Sequence, residues 1–280
     1  MKRILYFLGL LAAVLLACTL PSTVTPPAMT QPPAGASATV APVTPIPVTP
    51  LPQANVTCNN VSLYLEPSLA SGFQCTSVPE VSGAEIPAFT ANPQYTEITF
   101  QGYVLSGRFF DAHIDIYPVQ RYNEVAPDAN IPTRVTMLQG LTAGGLLGSD
   151  ALPVLPVFNA AQELHVQYKV VPFGSGSGIR FLTQYAQFAD PINNHELFYT
   201  YQGLTADGKD WISAILPTSL ADLPADGNTP PAGQSPEQFS NNFTTYLADM
   251  TTKLNGQAET DFSPAVPALD ALVSSLQVAP

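Results

Sequence analysis

Apolar and polar positions alternate along the middle of this chain, and the period changes near residue 235. In Phe110-Asp111-Ala112-His113-Ile114-Asp115-Ile116 every second side chain is apolar, the spacing that lines one face of a strand. Tyr95-Thr96-Glu97-Ile98-Thr99-Phe100 is rich in β-branched and aromatic residues, which suit a pleated surface. Residues 164–171 and 179–188 predict two more strands, and Gly174-Ser175-Gly176-Ser177-Gly178 between them reads as a hairpin turn. Residues 197–201 and 211–216 predict a second hairpin, turning through Ala206-Asp207-Gly208-Lys209. Val135, Leu138 and Leu141 recur every three residues, which predicts a short helix after Pro132. From Ser235 onward the helical period takes over, with Phe239, Phe243, Tyr246, Leu247, Met250 and Leu254 on one stripe. Ser235-Pro236-Glu237-Gln238 has the form of a capping box with proline at the first helical position, and Asn255-Gly256 is a stop. A last helix is predicted from Ser263-Pro264, carrying Leu269, Leu272, Val273 and Leu276. Residues 219–236, rich in Pro, Gly, Asp and Ala, read as an exposed connector. Strands followed by helices predict an α+β fold, an antiparallel β-sheet with C-terminal helices packed on it.

The first 54 residues follow neither period. Met1-Lys2-Arg3 is basic, residues 4–17 are uncharged and almost wholly apolar, and Leu15-Leu16-Ala17-Cys18 closes the run. Fourteen apolar residues are short of the about 20 that a transmembrane helix needs. A basic start, a short apolar core and a small residue before a cut site form an export signal. The ending resembles the lipobox of bacterial lipoproteins. That resemblance implies cleavage before Cys18, lipidation of its thiol, and attachment to the cell membrane on the extracytoplasmic side. Each buried methylene of a lipid chain contributes about 0.8 kcal/mol, so two chains anchor firmly where one does not. Residues 19–54 then hold ten prolines among Thr, Ser and Ala, and no charge occurs between Arg3 and Glu66. Such a segment buries too little apolar surface to offset its ordering entropy. It predicts a disordered stalk that spans on the order of 110 Å when fully extended. The expected organisation is a signal peptide (1–17), a lipidated cysteine and Pro/Thr-rich stalk (18–54), and one extracytoplasmic domain (55–280).

Charge narrows the partners. Two of the nine basic residues, Lys2 and Arg3, fall in the signal segment, so the remaining chain carries a net charge of −14. Nucleic acid and anionic headgroups are poor partners for such a chain. Cys58 and Cys75, 17 positions apart, are the even pair that an oxidising compartment closes into a disulfide, stabilising by roughly 3 kcal/mol. No His or third Cys lies near them in sequence, which disfavours a metal.

Candidate chemistry is sparse. Asp111, His113 and Asp115 share one face of their strand, about 6.5–7 Å apart, so two of them can share a metal ion. The competing reading is the solvated face of an amphipathic strand. His165, Gln167 and Lys169 alternate with Leu164, Val166 and Tyr168 as another polar face. His195-Glu196 follows Asn193-Asn194 at the start of a strand, without the second histidine of a zinc-protease helix. The glycine-serine run lacks the Lys of a phosphate loop and the spacing of a nucleophile elbow. Asp207-Gly208-Lys209-Asp210 and the Asp222 to Gly227 stretch are acidic turns, not EF-hand loops. Phe181, Tyr185, Phe188, Phe198, Tyr199, Tyr201 and Trp211 concentrate in the later strands. They either present tyrosines outward for glycan or protein contact or pack beneath the C-terminal helices.

The arrangement resembles the PsbP/Mog1-like fold, an antiparallel sheet between helices; that resemblance is architectural and carries over no residues. Residues 178–185 and 197–203 are similar to runs in exported bacterial proteins without an assigned activity. No catalytic set and no cofactor motif is legible. The expectation is a non-catalytic binding or scaffolding domain acting on an envelope protein or glycan. The alternatives are a metal-assisted envelope hydrolase using His113 with Asp111 or Asp115, and a solute-binding component of a transporter.

Overall fold

The computed structural model describes residues 52–148 and 151–280. The signal segment, Cys18 and the stalk as far as residue 51 lie outside the described residues. The centre of the fold is a seven-stranded antiparallel sheet. Its strands are β1 (Gly72–Val78), β2 (Tyr95–Gln101), β3 (His113–Pro118), β4 (Val166–Phe173), β5 (Gly176–Thr183), β6 (Phe198–Thr205) and β7 (Asp210–Pro217). Across the sheet they run β1-β2-β3-β7-β6-β5-β4, so the early meander meets the later one where β3 lies against β7.

Both predicted hairpins are present, with shifted limits. The β6–β7 turn places Gly208 at φ 72°, a left-handed conformation that glycine adopts without strain. The β4–β5 turn needs only Gly174 and Ser175, and the rest of the glycine-serine run belongs to β5. The reason is close packing: Gly178 faces Gly203, and a Cβ on Gly178 would lie 2.6 Å from the ring of Tyr201. That ring reaches across the strands, and its hydroxyl donates to the Val171 carbonyl at 2.9 Å. The alternation predicted for residues 164–171 breaks at a bulge between Val166 and Lys169, where Gln167 has φ 55°. The bulge turns Gln167 toward the end of a helix, where its side-chain amide donates to the Leu254 carbonyl at 2.8 Å.

Helices cover both faces, whereas the sequence predicts cover chiefly from the C-terminal ones. On one face lie α3 (Pro236–Asn255) and α4 (Val266–Ser274), together with a small sheet of Val56–Cys58, Val61–Leu63 and Gln277–Val278. The predicted capping box holds at α3: Gln238 N–H donates to Ser235 Oγ, and Ser235 N–H to Gln238 Oε1. α4 begins later than predicted because Phe262–Ser263 is held extended against Ser219–Leu220. That pairing also ties down the start of the predicted connector, where Leu220 and Leu223 are buried. On the opposite face lie α1 (Val119–Val125), α2 (Ile131–Thr142) and the chain around residues 152–158, packed on Phe181, Leu204 and Trp211. The aromatics thus divide between the faces, with Tyr199 and Tyr201 beneath α3 and α4.

Two cross-links hold the first of these layers. Cys58 and Cys75 form the expected disulfide, with Cα atoms 5.5 Å apart. Arg180, wholly buried on β5, donates from Nε to Asp270 Oδ1 on α4 at 3.1 Å and pairs with Glu259. Among the described residues no helix is long and apolar enough to cross a membrane.

Candidate functional site

The opposite face carries the chemistry. β3 begins at His113, so Asp111 lies before the strand and its side chain is exposed. His113, Asp115 and Tyr117 then project from β3 on one face beside Tyr95, Glu97 and Thr99 of β2, with Glu97 directly opposite Asp115. This polar row is not the solvated face that alternation alone suggests. Pro156, Phe158 and Tyr122 close over it, and Asp115 is 2% exposed. A cavity of about 260 Å³ remains between the row and its cover.

The hydrogen bonds of this row define its chemistry. Tyr117 donates its hydroxyl proton to Asp115 Oδ2 at 2.7 Å. His113 Nδ1 lies 2.7 Å from the Asp111 carbonyl. A carbonyl oxygen only accepts, so Nδ1 carries a proton and Nε2 is the ring position left toward Asp115. Nε2 lies 3.7 Å from Asp115 Oδ2, too far for a hydrogen bond. Asp115 Oδ1 is buried and has no partner among the described residues. Burial pushes the Asp115 carboxyl up to about 6; His113 and the Tyr117 hydroxyl pull it down, and Glu97 pushes it up. Of the three residues read as candidate metal ligands, the fold brings His113 and Asp115 together and leaves the Asp111 carboxylate out. Among the described residues no three His, Cys, Asp or Glu side chains converge on a metal position.

A second hollow lies on the far side of Phe110 and Phe158, which line both. It is a cleft with two adjoining parts of about 390 and 610 Å³ that share Phe109, Phe188, Asp190 and Glu196. Residues 109–110, 158–160, 185–196 and 226–228 build it. Phe109 and Phe110 come from the loop before β3, and the Phe109 N–H donates to the His195 carbonyl at 2.8 Å. The Phe158 ring is tilted against Tyr185, with centroids 4.3 Å apart, and meets Phe110 edge-on at 5.6 Å, giving a continuous aromatic wall. Asn193, fully buried, shapes the third segment: its Oδ1 accepts from the backbone N–H groups of His195 and Glu196 at 2.9 and 3.1 Å. His195 and Glu196 therefore line this cleft rather than a strand face. Phe188, 70% exposed, and Phe109, 61% exposed, stand at its rim.

Carboxylates share the cleft with the rings. Glu163 nearby is pushed up to about 7 by burial and then by the charge of Asp190. Asp190 is raised by burial, and Glu196 by burial most of all, with Asn193 and His195 opposing. His165 is half-buried and lies outside both cavities, and burial lowers its pKa. Sequence reasoning does not find this cleft. Its one local signal is the doublet Phe109-Phe110, because consecutive side chains on an extended chain cannot both face one core. No protein-family model, curated protein or solved structure matches this chain.

Proposed function

We propose that the chain is a membrane-anchored, extracytoplasmic lipoprotein, held by lipidated Cys18, whose domain is a binding module for an envelope glycan. The observation that carries this reading is the cleft with Phe109 and Phe188 exposed at its rim. A rim ring left in water costs solubility and adds nothing to the core, whereas sugar faces stack on such rings. Asn159, Gln187, Asp190 and Glu196 set amide and carboxylate groups beside them, the acceptors and donors that hydroxyls need. The export signal and stalk support a place in the envelope, with the domain held away from the bilayer.

The test uses the mature chain from Cys18 onward, extracted from membranes in detergent. Calorimetric titration with cell-wall glycan fragments is expected to give saturable binding. Phe188→Ala and Phe109→Ala each weaken it by about tenfold or more, equivalent to about 1.4 kcal/mol. Cys18→Ser moves the protein from the detergent phase to the aqueous phase on phase partition. Absence of glycan binding, with crosslinks from position 188 to one envelope protein in intact cells, would replace the glycan with a protein partner.

A further inference from the structure

We infer that the pocket between Phe110, Phe158 and the β2–β3 row is a separate binding site for a small primary amine, held as its ammonium ion by Asp115, Glu97 and His113. The inference does not rest on the glycan reading, because the two hollows share rings but no polar group.

Tyr117 has one hydroxyl proton, and it goes to Asp115 Oδ2. The Nδ1 proton of His113 goes to the Asp111 carbonyl. The Thr99 hydroxyl donates to Glu97 Oε1 at 3.2 Å. Two carboxylates then face the cavity, Asp115 with its unpartnered Oδ1 and Glu97 opposite it on the neighbouring strand, beside His113 Nε2 and the hydroxyls of Tyr95 and Thr90. Among the described residues no Lys or Arg lies within 4.0 Å of Asp115. A buried carboxylate with a free oxygen is costly unless something donates to it. An ammonium group carries three donors and one positive charge, which answers both the acceptors and the two carboxylates. Tyr95, Tyr122, Phe110 and Phe158 line the rest, and aromatic faces attract cations. A cavity of about 260 Å³ limits the ligand to a small molecule. A neutral alcohol brings one donor and no charge, an anion meets two carboxylates, and a zinc ion finds two convergent protein ligands where three are usual.

The experiment is calorimetric titration of the mature chain, metal-free at pH 7.5, with benzylamine and with benzyl alcohol as its neutral isostere. Benzylamine is expected to bind one per chain with Kd below about 1 mM, and benzyl alcohol about tenfold or more weaker. Asp115→Asn, which removes charge without opening a cavity, should weaken benzylamine by roughly 10–100-fold, and Glu97→Gln by less. Phe188→Ala should leave benzylamine binding unchanged, so loss of the glycan reading and loss of this one are separable. Equal affinity for the alcohol, full affinity in Asp115→Asn, or no saturable binding up to roughly 10 mM would each overturn the inference. So would stoichiometric Zn²⁺ binding that Asp115→Asn abolishes, which would give the same acceptors to a metal.

Discussion

Two buried aspartates sit on opposite faces of one sheet and are treated in opposite ways. Asp270, on the sheet-facing side of α4, accepts from Arg180 Nε and the Tyr199 hydroxyl at Oδ1 and from Lys169 Nζ at Oδ2. Asp115, beneath the loop around residue 156, accepts one hydrogen bond from Tyr117 and keeps one oxygen free. The first is an ion network that fixes where α4 lies on the sheet. The second is a buried carboxylate with no Lys or Arg beside it, only His113 Nε2 at 3.7 Å and the Tyr117 hydroxyl. A buried carboxylate that lines a cavity and titrates above its ordinary value marks a candidate functional group.

The largest expected effect comes from breaking the compensated side. Asp270→Asn leaves the buried Arg180 guanidinium with Glu259 alone. Removing one partner of a buried pair costs about 3–5 kcal/mol, measured as a lower urea midpoint at pH 7. Replacing Arg180 by Met and Asp270 by Leu together should recover part of that loss, because the charges left, Glu259 and Lys169, reach solvent and only the Tyr199 hydroxyl loses a buried partner. If Asp270→Asn were as harmless as a surface change, the contrast between the two aspartates would collapse.

The uncompensated side should respond with the opposite sign. The folded Asp115 carboxyl titrates near 6, above its ordinary value of 3.8, so the native state favours its protonated form. Its stabilising contribution is present below pH 4 and disappears as pH rises through 6. The raised value corresponds to up to about 3 kcal/mol by pH 7.5. Asp115→Asn should therefore be more stable than the parent at pH 7.5, by up to about 3 kcal/mol, and close to it at pH 4. Unfolding midpoints of both proteins across pH 4–8 check this, and parallel curves would refute it. Glu163 and Glu196 also titrate above their ordinary values, but they are present in both proteins and cancel in the difference, whereas His113 and Glu97, whose charges act on Asp115, contribute to it.

The sequence carries much of the first side and little of the second. The strands are legible because alternation is a local property, and α3 because a capping box and an apolar stripe agree on its start. The disulfide is legible because two of the three cysteines remain once Cys18 is assigned to the lipobox. Asp115 shows why the other face is not. Alternation assigns it to the face opposite Ile114 and Ile116 but cannot say what covers that face. The cover comes from seven-residue α1 and from irregular chain around residues 152–158, neither of which has a period. The same limit hides the cleft, since Phe109, Phe158 and Phe188 meet only through tertiary packing. The sequence does bring His113 and Asp115 forward. It groups Asp111 with them, whereas the strand begins at His113 and leaves the Asp111 side chain exposed, because period two cannot tell where a strand begins.

The smallest effect on stability should come from the cleft rim, and it sharpens the comparison most. Phe109 and Phe188 are mostly exposed, so each alanine substitution removes little buried surface. Changes at such positions stay within about 0.5 kcal/mol, whereas truncating a buried phenylalanine costs about 3–5 kcal/mol. Phe181, wholly buried beneath α2, is the internal control. Phe181→Ala should lower the urea midpoint strongly while Phe188→Ala leaves it in place. If Phe188→Ala instead destabilised like Phe181→Ala, the rim ring would be a structural brace, and the cleft would lose the feature that marks it as a binding surface.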